Sequence, residues 1–208
     1  VKCGTWKITL TGKDIRDGHY HAWIERDSLR SYYNRSGRLI SSFPSYFTDK
    51  SNVDSHSINS LACGQRVIAV GNFDAGTDGV NATSSQGPTR DERKKPDIIA
   101  PGTHVVAARG FSKRHEEKWI SKSGTSMASP YVSGIAGLML SICPKLTASQ
   151  IIGILNRTAK PLDGYDFDWQ PDLGSGLINA EAALDEAHRI WSSPSEEVDI
   201  KGRARPRT

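Results

Sequence analysis

Short apolar strands interleaved with helical segments predict an α/β domain. Three observations carry that expectation. RVIAVGNF (66–73) is a continuous apolar run closed by a glycine, as a strand buried on both faces requires. KPDIIAPG (95–102) is a second short apolar run, bounded by proline and glycine, with THVVAAR directly behind it. The helical segments then follow: a small-residue-rich apolar run over 127–143, LTASQIIGILNRTA (146–159) and LINAEAALDEAHRIW (177–191).

Each element has a local reason, taken in chain order. TWKITL (5–10) and HYHAWIE (19–25) alternate apolar and polar residues across the turn-rich TGKDIRDG, which predicts a hairpin around Asp17-Gly18. In this reading Trp6, Tyr20 and Trp23 pack on the sheet. Residues 27–60 are polar and lack a clear period, so they read as a long surface excursion. VNATSSQGPT reads as a short strand entering a Gly-Pro turn, and Asn72 (in RVIAVGNF) and Asn81 read as turn residues rather than oxyanion donors. FSKRHEEK is a charged loop, and KWISKS leads into GTSMASP (124–130). The run over 127–143 predicts a central buried helix, with Cys143 as a buried apolar thiol. Thr147 with Gln150 forms a capping-box pattern at the start of the next helix. PLDGYDFDWQPDLGSG is a turn-rich loop before the last helix, and residues 192–208 read as a disordered basic tail. The divisions drawn this way are 1–60, 61–191 and 192–208.

Composition narrows the function classes. The chain has 208 residues, enough for one domain with a real core. The net charge of +4 is small, and much of it sits in the terminal KGRARPRT, so nucleic-acid binding is disfavoured. Cys3, Cys63 and Cys143 are an odd, widely spaced set without a CxxC, which excludes a zinc ribbon or a dense disulfide framework. No run reaches the length of a transmembrane helix, so no membrane partner is expected. The first residue is Val1, without a leader pattern, and the chain reads as a piece of a longer protein.

GTSMASP carries the chemistry. Gly124 permits a tight turn, Pro130 falls in a first helical turn, and Ser126 sits at or near a helix N-terminus where free N–H groups favour negative charge. A capping serine explains these features as well as a nucleophile does. A nucleophilic serine needs more: a base, in most cases histidine, and donors for an oxyanion.

The string itself resembles the nucleophile motif of the subtilisin-like serine proteases, the subtilases. KPDIIAPG, SSQGP, RVIAVGNF and LGSGLINAEAAL are similar to neighbouring segments of that family, in the family's order, from about residue 61 to 185. The N-terminal segment resembles an insertion found in some bacterial members. The resemblance implies a three-layer α/β fold with a mostly parallel sheet, plus the N-terminal hairpin. It implies that Ser126 is the nucleophile of a peptide-bond hydrolase and that its backbone N–H is an oxyanion donor, with Gly124 and Thr125 supporting the turn. A polypeptide is the implied substrate.

The sequence also departs from the family. The D-[ST]-G, H-G-T and A-G-N settings of the acid, base and oxyanion asparagine do not occur in these residues. The upstream histidines are His19, His21, His56, His104 and His115, and neither Asp17-Gly18-His19 nor Asp54-Ser55-His56 reproduces a triad by spacing. The expectation is therefore the C-terminal half of a subtilase catalytic domain, inert alone, whose partner is the N-terminal half. The alternative is a non-catalytic interaction module on the same scaffold, with Ser126 as a cap. Asp97 is expected in a turn or a buried hydrogen bond. No cofactor is called for. Many subtilases bind calcium, but Asp163, Asp166 and Asp168 lack the glycine and glutamate of an EF-hand loop and read as a solvated loop. The compartment is left open by the residues, and the resemblance favours secretion.

Overall fold

The computed structural model describes residues 5–18, 20–24, 30–42, 46–48, 55–110, 117–165, 168–193, 197–198 and 204–205. The chain separates into two compact units, Val1–Val53 and Asp54–Thr208.

In the first unit the hairpin forms, but not where alternation placed it. Residues 5–12 and 20–24 carry no strand; instead β1 (Arg30–Tyr33) pairs antiparallel with β2 (Leu39–Ser42). The turn between them explains the choice. Asn34 Oδ1 accepts hydrogen bonds from Ser36 N (3.1 Å), Ser36 Oγ (2.7 Å) and Arg38 N (2.9 Å), and Gly37 takes φ +74°. One carboxamide thus closes the loop and pins the register of the flanking strands. Alternation alone does not select a partner. Trp6, Tyr20 and Trp23 are consequently exposed rather than packed on a sheet, and Trp23 stacks on the His21 ring at 5.5 Å.

The second unit is built on a small sheet of order β4-β3-β5. β3 (Val70–Asp74) runs parallel to β5 (Ile98–Pro101) in the register Val70↔Ile98 to Phe73↔Pro101, and β4 (Gly79–Val80) adds antiparallel at Phe73. The parallel pair explains the unbroken apolar composition of both runs, because each face is covered. On one face Val70, Ile98 and Ala100 meet Ala128, Val132, Ile135 and Met139 of α1 (Thr125–Ile142). On the other, Phe73 and Ile99 meet Leu173, with Leu162 and Leu177 at the margin. β6 (Val105–Ala108) and β7 (Trp119–Lys122) form an antiparallel hairpin that ends at the GTSMASP turn. The strand in KWISKS was not foreseen.

Two further helices close the core. α2 (Ala148–Thr158) starts at the expected capping box: Thr147 Oγ1 accepts from Gln150 N and Gln150 Oε1 accepts from Thr147 N. α3 (Ala180–Ser192) is capped by Asn179 and buries Ala183 and Ala187. Cys143 is buried with this cluster, as its apolar setting required, and Cys63 is a half-buried free thiol.

α1 departs from the expectation of a helix buried all round. Its sheet-facing stripe is buried, yet Tyr131 (48%), Leu138 (54%) and Leu140 (40%) remain exposed. A helix apolar on more than one face needs covering on more than one side. Among the described residues α1 packs against β3, β5 and α3, and these three side chains stay outside that cover. Beyond Ser193 only Glu197–Val198 (β8) and Ala204–Arg205 (β9) of the tail are described, and they pair antiparallel.

Candidate active site

The GTSMASP turn sits where the parallel strands end. β5 leads through Pro101 and Gly102 into the β6–β7 hairpin, and β7 returns the chain to Ser123. Two hydrogen bonds fasten the return. Gly124 N donates to Gly102 O at 2.7 Å, and His104 N donates to Ser123 Oγ at 2.9 Å. Gly124 then adopts φ +140°, ψ +165°, a conformation that an L side chain rarely takes. Glycine is required here for backbone reasons alone.

α1 begins immediately afterwards. Its N-cap residue is Gly124, which supplies no side-chain cap. Ser126 is the second helical residue, exposed, and no hydrogen bond ties its hydroxyl to any described residue. The reading of Ser126 as the helix cap therefore fails: its oxygen does not satisfy the first turn. The first helical bonds are Met127 N and Ala128 N to Gly124 O, and the Thr125 and Ser126 amides ahead of them have no backbone acceptor among the described residues. Two free N–H groups at the positive end of an 18-residue helix, next to a free hydroxyl, suit an oxyanion forming beside Ser126. Pro130 falls in the second turn, so its missing N–H costs at most one bond.

Gly102 is the second glycine the turn depends on. A Cβ there would lie 2.4 Å from Asn72 Oδ1, 2.8 Å from Gly124 O and 3.0 Å from the Ala128 Cβ. β3, the turn and the first turn of α1 all converge on that bare Cα.

KPDIIAPG anchors the sheet beneath. Asp97 is buried, and its Oδ2 accepts from Ala69 N at 2.7 Å and from Lys95 Nζ at 2.6 Å. Lys95 Nζ also donates to Val67 O at 2.6 Å. The buried hydrogen bond expected of Asp97 is present; the charge partner two residues earlier was not foreseen, although a lysine flanking a buried strand was a visible signal. This pair ties β5 to the entrance of β3. Asn72 corrects the sequence reading. It is not a turn residue but lies fully buried in β3. Asn81 does form a turn, its Oδ1 accepting from Thr83 N and Thr83 Oγ1.

The family's profile, the subtilases of Peptidase_S8, matches residues 34–183. The chain belongs to the subtilase family. It is 36% identical over 147 residues to the serine protease AprX of Bacillus subtilis, covering 63% of this chain and 32% of AprX. It is 34% identical over 114 residues to an extracellular basic protease of Dichelobacter nodosus, covering 50% of this chain and 18% of that protein. The solved structure of the Clostridium perfringens CspB protease superposes with a TM-score of 0.55 at 30% identity, over 64% of this chain and 29% of that one. The subtilisin-like α/β fold is thereby established for the matched residues. The chain spans no more than about a third of the length of these proteins.

The candidate residues divide as follows in this subtilase. Gly124, Thr125 and Ser126 come together at the start of α1. His56 is elsewhere: its Nδ1 contacts Ser55 Oγ at 2.8 Å and its Nε2 contacts Glu92 Oε1 at 3.2 Å. His104 presents its backbone, not its ring, to the turn. His19 and His115 lie outside the described residues, as does Asp166. Among the described residues no group of three or more His, Cys, Asp or Glu is placed to hold a metal ion. Tyr165 donates to Asp172 Oδ2 at 2.8 Å, and that bond raises the phenol pKa.

Proposed function

We propose that this chain is the nucleophile-bearing part of a serine endopeptidase that hydrolyses peptide bonds by acyl transfer. The supporting observation is Ser126 itself: an unencumbered hydroxyl on the first turn of α1, beside two amides without acceptors. In the reaction Ser126 Oγ attacks the scissile carbonyl carbon, and a histidine base takes the hydroxyl proton. The carbonyl oxygen gathers negative charge against the Ser126 N–H and the helix N-terminus. The same base returns the proton to the leaving amine, and water then hydrolyses the acyl-enzyme. Gly124 and Thr125 hold the turn.

The base, its acid and a further oxyanion donor are, in this proposal, supplied by residues outside these 208. Without them the chain alone is close to inert, since losing the histidine of such a triad costs about 10⁶-fold in kcat. A polypeptide is the substrate, no cofactor enters the reaction, and secretion fits the extracellular relative. The test is peptide hydrolysis by the full-length protein. Ser126→Ala should lower kcat by about 10⁶-fold with the fold intact. Full activity in that variant would refute the proposal and leave a non-catalytic module on a subtilase scaffold as the better reading.

A further inference from the structure

We infer that Asn72 is a positioning residue for Ser126, holding the nucleophile turn at its working height through Gly102. The inference rests on the nucleophile reading above and adds a residue to that site.

Asn72 is placed for this role by strand geometry. It shares the α1-facing side of β3 with Val70, two residues earlier, and its neighbours there are Ala100 and Ala128, both fully buried. An apolar residue would suit that setting better than a carboxamide. The amide also has little to satisfy it. Among the described residues, Oδ1 receives only a long bond from Thr103 Oγ1 (3.5 Å), and Nδ2 is buried without a hydrogen-bond partner. Exchanging the amide oxygen and nitrogen would orphan the oxygen instead, so one buried polar atom stays unpaired in either orientation. Such a group weakens the fold, and a buried unpaired polar atom in a native core calls for an explanation.

Its surroundings supply one. The Asn72 backbone is clamped on both sides: its N–H donates to Ser84 Oγ at 3.0 Å, and its C=O accepts from Asn81 N at 2.8 Å. Asn81 Nδ2 in turn reaches Thr103 Oγ1 at 3.3 Å and Asp74 Oδ2 at 3.4 Å. The side chain therefore extends from a rigid base. Its oxygen closes on the bare Cα of Gly102, where a methyl group would overlap it at 2.4 Å. Gly102 O receives the Gly124 N–H, and Gly124 O receives the Met127 and Ala128 amides in the first turn of α1. The connection from Asn72 to the first turn of α1, which carries Ser126, is thus one side-chain contact and two backbone hydrogen-bonded steps.

The test uses the full-length protein and a biotinylated fluorophosphonate, with the labelling rate at Ser126 read by peptide mass. Asn72→Ala should slow labelling by about 10–100-fold, the scale of a displacement near 1 Å at a reacting atom. Its melting temperature should stay level or rise, because the orphaned amide is gone. Asn72→Ser keeps a small polar group but loses the reach to Gly102, and should be slowed similarly. Rates within about threefold of the unmodified protein would overturn the inference. So would slowing that merely follows a fall in melting temperature in both variants, which marks a structural role only. If the unmodified protein is not labelled at Ser126, the nucleophile reading fails first and this inference with it.

Discussion

Replacing Lys95 by Met should destabilise the protein more than any surface change, and the structure sets the scale. Lys95 and Asp97 side chains are each only 7% exposed, with Nζ and Oδ2 at 2.6 Å. Methionine keeps the length and apolar stem of lysine but leaves the Asp97 carboxylate with one donor, Ala69 N, and leaves Val67 O without its partner. An uncompensated buried charge costs about 3–5 kcal/mol. In a domain of about 150–250 residues each kcal/mol moves Tm by roughly 2–4 °C, so a fall of roughly 6–20 °C is expected. The double variant Lys95→Met/Asp97→Leu removes both charges and should recover most of the loss, because a buried ion pair gains little over well-packed apolar groups. The assay is thermal unfolding of the full-length protein, followed by circular dichroism, for both single variants and the double. If Lys95→Met lowers Tm no more than the double variant does, the buried-charge reasoning is wrong.

Other outcomes follow from single features. Asp91 is held at a pKa of about 2, below its usual 3.8, chiefly by hydrogen bonds from Arg93 and Thr89. Its folded form thus binds protons less readily, so its contribution is present above pH 3.8 and is lost as pH falls toward 2. Asp91→Asn should flatten that part of the Tm–pH curve, and an unchanged curve would remove Asp91 from the account. Gly174 takes φ +67°, and a Cβ would lie 2.5 Å from the Asp97 carbonyl carbon. Gly174→Ala should cost about 1–3 kcal/mol in urea unfolding, whereas a neutral result would mean that the loop relaxes freely. The 208-residue chain alone, with Tyr131, Leu138 and Leu140 of α1 exposed, should self-associate and melt broadly. A sharply melting monomer in analytical ultracentrifugation and calorimetry would contradict this.

Local chemistry made much of the fold legible. The two parallel strands were readable because burial on both faces leaves unbroken apolar runs, and α2 because Thr147 and Gln150 announce its start. The hairpin was misplaced because alternation in TWKITL does not name a partner, while the Asn34–Gly37 turn that fixes the real register lay in a segment without a period. β7 was missed for the same reason: KWISKS is paired by its neighbour β6, not by its own pattern. At the site, Ser126 stood out by its string, yet only the geometry showed that Gly124 and not Ser126 caps α1. Asn72 reads as a turn residue because asparagine favours turns in general, and a buried polar residue inside an apolar strand shows its cost only once the strand is packed.

The central claim is that these residues carry the nucleophile and that its activation comes from elsewhere in the protein. Fluorophosphonate labelling of the full-length protein, of its Ser126→Ala variant and of the 208-residue chain alone tests it directly. The full-length protein should be modified at Ser126, and neither the variant nor the isolated chain should be. Labelling of the isolated chain at Ser126 at the full-length rate, or labelling of the full-length protein at another residue, would contradict it.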